Sequence, residues 1–178
     1  MNIIPKRQQV EVRKSLEAEL AGLYGEYYDK IARYACLHIG NRVDAEDVAG
    51  DVFLKALESL GSYEKRGIPM QAWLFKIAHN LVVDYLRKMN KRKTVDIGSV
   101  TLGSKECPEA TAELNIEVER VKKAMELLTR EQKEVISLRF FGELTSKETA
   151  AIMGKSDGAV REMQRAATSK LRVLLVTD

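Results

Sequence analysis

Cysteine, histidine and long apolar runs are all scarce in this chain of 178 residues, and each scarcity removes a class of function. The two cysteines, Cys36 and Cys107, are far apart and form no C-x-x-C pair, so neither a disulfide nor a zinc site is expected. Cys36 lies among apolar neighbours in a helical pattern and reads as a small buried hydrophobe. The two histidines, His38 and His79, fall in separate helical segments, and neither has a glutamate three residues before it, the spacing that helix-bundle carboxylate metal sites use. There is no H-E-x-x-H, no Walker loop and no nucleophile elbow. The chain is therefore expected to have no cofactor, no metal, no catalytic residue and no small-molecule substrate. No apolar run approaches the roughly 20 residues of a membrane span, and the opening MNIIPKRQQVEVRK has no secretory-signal core, which makes the expected location cytoplasmic.

The charge is unevenly spread. Residues 1–95 carry +4, residues 96–115 carry −3 and residues 116–178 carry +2, which sum to the net +3. Two mildly basic parts flanking an acidic strip fit a polyanionic partner, although the magnitude alone is a weak signal.

Strand alternation bounded by hairpin turns is absent, whereas apolar residues at three- and four-residue steps are frequent, so the expected fold is all-α. Residues 94–115, TVDIGSVTLGSKECPEATAELN, hold no sustained helical period and contain Gly, Pro, Ser and Thr in the manner of a flexible linker. That places one small helical domain at 1–93 and another at 116–178. In the first, Leu16, Leu20, Leu23, Tyr27, Ile31 and Tyr34 share a helical face that stops at Gly40, preceded by a flexible lead-in over residues 1–14. A second helix is expected from Asp44 as N-cap to near Gly61, with Val48, Val52, Phe53, Ala56, Leu57 and Leu60 inward. A third is expected from Pro69, with either Trp73, Ile77, Leu81 and Tyr85 or Leu74, Ala78 and Val82 as its buried face. The second domain opens with Val118, Val121, Met125 and Leu128 on one face. Two capping boxes follow, Thr129 with Gln132 and Thr145 with Glu148.

The most specific local pattern is a helix-turn-helix. Such a motif needs a small residue where two short helices touch and a residue tolerant of positive φ in the turn. Ala150, Gly154, Val160 and Met163 supply these in order. If Val160, Met163, Ala167, Leu171 and Leu174 face in, the outer side of the last helix carries Asp157, Arg161, Glu162, Arg165 and, at its margin, Gln164. Arginine pairs with guanine edges or phosphates, Gln with adenine, and Glu accepts from cytosine, as a major-groove reader requires. Glu162 either reads a base or is a solvated bystander. The plainer alternative is a helical hairpin whose charges only keep it soluble.

The third helix of the first domain carries a polar stripe, Asn80, Asp84, Arg87 and Lys91, beside Lys88, Arg92 and Lys93. The helix dipole would account for two or three basic residues at such a helix end, but not for five in seven positions. Tyr63, Trp73 and Phe75 are near enough in sequence to stack on unpaired bases, although Trp73 also fits a core position. On the second helix Asp47, Asp51, Lys55 and Glu58 form an exposed stripe with the apolar Leu54 beside it, a combination suited to docking on a basic protein surface.

Three blocks, DAEDVAGDVFLKAL (44–57), IPMQAWLFKIAHNLVVDYLRK (68–88) and LLTREQKEVISLRFFGELTSKETAAIMGKSDGAVREMQRAATSKLR (127–172), closely resemble the extracytoplasmic-function subfamily of bacterial RNA polymerase sigma factors. The resemblance implies partners: core RNA polymerase, through its clamp helices and flap, promoter DNA both double-stranded and as a melted single strand, and an anti-sigma factor. It implies that Asp47, Asp51 and Leu54 form the clamp-docking surface. It implies a minus-ten surface at Asn80, Asp84, Arg87, Lys88 and Lys91, with Tyr63 to Pro69 as the loop that receives a flipped base. Ser156, Asp157, Arg161, Glu162 and Arg165 would then read the minus-thirty-five element, and the acidic linker would thread a basic channel of the polymerase. Gly50, Met70, Met163 and Gln164 depart from the residues the family favours at their positions. A stand-alone helix-turn-helix regulator is the alternative; it would bind palindromic duplex without polymerase.

Overall fold

The structure, a computed structural model, describes residues 6–63, 68–95 and 112–176. Among the described residues there are helices and turns and no strand. The chain divides into two compact units, Met1–Lys105 and Glu106–Asp178. Most of the linker, residues 96–111, and positions 64–67 of the expected base-receiving loop lie outside the described residues.

The first unit is a bundle of three long helices, α1 (Lys6–Ile39), α2 (Arg42–Ser59) and α3 (Met70–Val95). The helix of α1 reaches back to Lys6, so residues 6–14 are not the flexible lead-in that their composition suggests. Burial nevertheless begins only at Leu16, and residues 10–15 are exposed. From Leu16 the stripe Leu20, Tyr27, Ile31 and Tyr34 is buried as the periodicity requires, and Gly40 ends the helix at φ 78°.

Asn41, not Asp44, caps α2. Its extended backbone lets its side-chain oxygen accept the Asp44 N–H at 3.2 Å, starting the helix earlier than expected. That leaves the Asp44 carboxylate available for another partner. Ala45, Val48, Ala49, Val52, Phe53 and Ala56 are buried, whereas Leu57, expected inside, is 45% exposed. At 100° per residue Leu57 lies about 100° around the helix from the centre of the buried set, beyond its edge.

A single 3-10 turn, Leu60–Ser62, leads out of α2. Pro69 stands just before α3 rather than inside it, its carbonyl accepting the Trp73 N–H at 3.1 Å. Of the two possible faces of α3, Leu74, Ala78 and Val82 are the buried one, and Trp73, Ile77, Leu81 and Tyr85 are half-buried. Phe75 meets Tyr34 edge-on at 5.6 Å and Tyr27 at 6.3 Å, and these rings form the centre of the bundle.

In the second unit α4 (Ala112–Glu126) precedes α5 (Arg130–Phe140), α6 (Ser146–Met153) and α7 (Asp157–Val176). Both capping boxes form, each with its reciprocal bond. Gly142 is obligatory in the α5–α6 turn, because a Cβ there would sit 2.6 Å from the Leu138 carbonyl oxygen and 2.9 Å from Leu144 Cγ. Gly154 closes α6 at φ 64°, in the left-handed conformation that a Schellman-type stop demands. Val135, Ala150 and Val160 are the apolar centre, flanked by Met153 and Met163. Ala124 and Met125 on α4 and Leu128 just beyond it are buried, but Val121 is exposed, contrary to its expected inward place, and the Val118 side chain lies outside the described residues. Lys170 Nζ donates to the Leu127 carbonyl at 2.6 Å and Arg120 Nη2 to that of Leu175 at 3.0 Å, fastening α7 to the α4 region.

One hydrogen bond clasps α2 to α3: the Tyr85 hydroxyl donates to Asp44 Oδ2 at 2.6 Å. Burial, then this bond to a carboxylate, pushes the phenol up to about 12. The folded state therefore holds the proton more tightly than the unfolded chain. The clasp contributes fully below the ordinary phenol value of 10.0 and is lost as pH rises from there towards 12. Tyr85→Phe should lower the unfolding free energy by about 1 kcal/mol in urea titrations at neutral pH. It should also remove one tyrosine titrating near 12 from an absorbance titration, and an unchanged titration would show that the clasp does not hold in solution.

Candidate nucleic-acid interface and docking face

The inward stripe of α7 fixes its outward one. Val160 and Ala167 are fully buried, and Arg161, Glu162 and Arg165 consequently stand in solvent. Ser156 serves the helix first, its Oγ accepting the Ala159 N–H at 3.2 Å as an N-cap. Asp157 is only partly exposed. It sits in the first turn, where a carboxylate suits the helix dipole, and its Oδ2 holds Arg161 Nη2 at 2.8 Å. Arg161 Nε also reaches Ser146 Oγ at 3.4 Å, so the guanidinium is steadied from both α6 and α7.

Glu162 is exposed and pairs with Arg165 at 2.9 Å. Such exposed pairs are worth about 0–1 kcal/mol, so a phosphate, with its charged oxygens, or a guanine edge, with its O6 and N7 acceptors, competes effectively for either arginine. Gln164 does not join this surface. It is half-buried, and its Oε1 accepts from Arg139 Nε at 3.0 Å. Nothing in the sequence links Arg139 to Gln164; the available hint was a basic side chain in the last turn of α5, beside the turn into α6.

On α3 the structure brings Asn80, Asp84, Arg87, Lys88 and Lys91 onto exposed positions, with Arg87 Nη2 3.2 Å from Asp84 Oδ1. Tyr63, expected to take part in base capture, makes two contacts here. Its hydroxyl donates to the Ile68 carbonyl at 3.0 Å and its ring lies 5.0 Å from that of Trp73, so it ties together the two chain segments flanking residues 64–67. Trp73 is half-buried beneath it.

On α2, Asp47, Asp51 and Leu54 are exposed, Leu54 by 55%. Val43 and Leu57 are also exposed and lie on the same side of α2, Val43 about three turns before Leu54 and Leu57 about one turn after it. Among the described residues no group of three or more His, Cys, Asp or Glu could hold a metal ion, and no helix is long and apolar enough to cross a membrane.

The bundle with its acidic-apolar face and basic helix end, followed by a helix-turn-helix with an arginine-bearing outer side, invites comparison with known proteins. Residues 23–93 match the family model for Sigma-70 region 2, and residues 124–173 that for Sigma-70, region 4. The ECF RNA polymerase sigma factor BldN of Streptomyces coelicolor is 33% identical over 172 residues, 95% of this chain and 65% of BldN. SigD of Mycobacterium tuberculosis, named likewise as an ECF RNA polymerase sigma factor, is 30% identical over 148 residues, 80% of this chain and 70% of SigD. The chain belongs to the extracytoplasmic-function sigma factors of RNA polymerase.

Two regions of one family, in the order 2 then 4, distinguish this sigma factor from a stand-alone helix-turn-helix regulator. The chain spans about two thirds of the length of these relatives. Among solved structures, the sigma factor RpoE of Bartonella quintana, in complex with the anti-sigma factor NepR, aligns with a TM-score of 0.76 at 24% identity over 90% of this chain and 98% of that one. CnrH, in complex with the cytosolic domain of CnrY, aligns with a TM-score of 0.67 at 24% identity over 96% of each chain. These likenesses speak to the fold.

Proposed function

We propose that this sigma factor directs core RNA polymerase to its promoters through two separable surfaces and acts in the cytoplasm, catalysing no reaction itself. The observation that carries the reading is the outer side of α7, where Arg161 and Arg165 stand exposed on a helix whose other side is locked into a helix-turn-helix. That helix suits the major groove of the duplex upstream element, with Ser156, Asp157 and Glu162 at its margins orienting the arginines. Arg139 and Gln164 stay inside.

The first unit takes the other two tasks. Asp47, Asp51 and Leu54, with Val43 and Leu57, offer carboxylates beside a row of apolar side chains, which fits the clamp helices of the polymerase. Asn80, Asp84, Arg87, Lys88 and Lys91 line a side of α3 that suits a melted minus-ten strand, where amide and charged groups meet unpaired bases and backbone. Binding unstacked bases of one strand offsets the cost of opening the duplex. The domain assignment follows: 1–93 for docking and melting, 94–115 as an acidic linker, 116–178 for the upstream element and the flap. An anti-sigma factor is the expected negative regulator; RpoE of Bartonella quintana is bound to one, NepR.

Two pairs of substitutions separate these surfaces. Arg161→Ala with Arg165→Ala should weaken upstream-element recognition by about tenfold or more while core polymerase still co-purifies. Loss of polymerase binding instead would mean that α7 is misassigned. Asp47→Arg with Asp51→Arg should abolish co-purification with core enzyme and leave duplex binding by the second unit intact; unchanged affinity for core enzyme would remove the docking surface from α2.

A further inference from the structure

Three parts of the helix-turn-helix converge on one side chain. Arg139, in the last turn of α5, donates from Nε to Gln164 Oε1 on α7 at 3.0 Å and from Nη1 to the backbone carbonyl of Leu144 in the α5–α6 turn. The turn it grips has little freedom. Gly142 has no room for a Cβ, Glu143 adopts φ 53°, and Leu144 is almost fully buried. Around α7, Gln164 lies about 40° from Val160 and about 100° from Arg165, at the inner edge of the helix rather than among its outward side chains.

We infer that Arg139 is a positioning residue for upstream-element recognition: through Gln164 it sets the rotation and depth at which α7 presents Arg161 and Arg165, and Gln164 is its anchor rather than a reader of adenine. The inference rests on the proposed role of α7. Apolar contacts at Val160 and Ala167 hold α7 against its neighbours but resist rotation weakly, because they are not directional. A guanidinium fork is directional: it fixes Gln164 with one nitrogen and the turn with another. Fixing both determines where the α7 arginines stand relative to a groove. A small rotation would degrade every base contact at once, whereas loss of a reading side chain degrades the contact at its own base pair.

The test uses the full chain with core polymerase on templates bearing the upstream element recovered with wild-type protein, together with a scrambled element and every single base-pair variant. Gln164→Leu removes the anchor and leaves the Leu144 bond, Arg139→Met removes both, and Gln164→Glu keeps an acceptor for the guanidinium. Gln164→Leu and Arg139→Met should each reduce discrimination between intact and scrambled element about tenfold, with the loss spread over all its base pairs. The double variant should be no worse than Arg139→Met alone, and Gln164→Glu should discriminate as wild type does. Thermal midpoints and transcription from a template premelted at the minus-ten region should be unchanged for Gln164→Leu. A loss confined to one base pair in Gln164→Leu, failure of Gln164→Glu, or undiminished discrimination in Gln164→Leu would overturn the inference. If wild-type protein shows no upstream preference at all, the role of α7 fails and the inference falls with it.

Discussion

A helix that buries one stripe of side chains has by that act chosen what it shows on the other, since each residue steps about 100° around the axis. Every surface of interest in this sigma factor depends on that coupling. Val160 and Ala167 go inside, and Arg161 and Arg165 are turned out. On α2 the small residues Ala45, Ala49 and Ala56 let the helix lie close against its neighbours, and Asp47, Asp51 and Leu54 are left on the far side. On α3 the buried Leu74, Ala78 and Val82 oppose the stripe from Asn80 to Lys91. Changing a buried residue therefore moves a functional surface, even when it touches no ligand.

Directional bonds supplement this apolar register at the points where it is loose. The Tyr85 clasp on Asp44 ties the helix with the acidic-apolar strip to the helix with the basic end. Arg139 similarly ties the turn to α7. The outward charges are held more lightly: Arg87, Arg161 and Arg165 each lean on a carboxylate of their own helix. Such exposed pairs are weak and salt-screened, and they exchange readily for a phosphate. Binding to DNA should accordingly weaken steeply as salt rises.

The helical periods of α1 and of α5 to α7, both capping boxes and the stop at Gly154 could be read before the structure, because each is a local pattern with a local cause. Residues whose roles come from distant partners could not. Asp44 makes a good N-cap in sequence, and only the structure shows Asn41 in that place and the phenol of Tyr85, 41 positions on, taking the Asp44 carboxylate. Gln164 reads in sequence as a marginal member of the outward face, with an amide that can pair with adenine. Its place, about 40° from Val160, was already in the helical step, but the guanidinium that claims it sits 25 residues earlier. Leu57 and Val121 read as inward because they are apolar, yet apolar side chains are common on protein surfaces and both are exposed. Leu57 lies about one turn from Leu54, on the same side of α2.

Run-off transcription from a promoter library, by core RNA polymerase with and without the purified chain, tests the assignment most directly. Start sites that appear only with the chain, each preceded by two fixed sequence blocks, are the expected result. No new start sites, with the chain alone binding a palindromic duplex tightly, would contradict it and mark the helix-turn-helix as that of a conventional regulator.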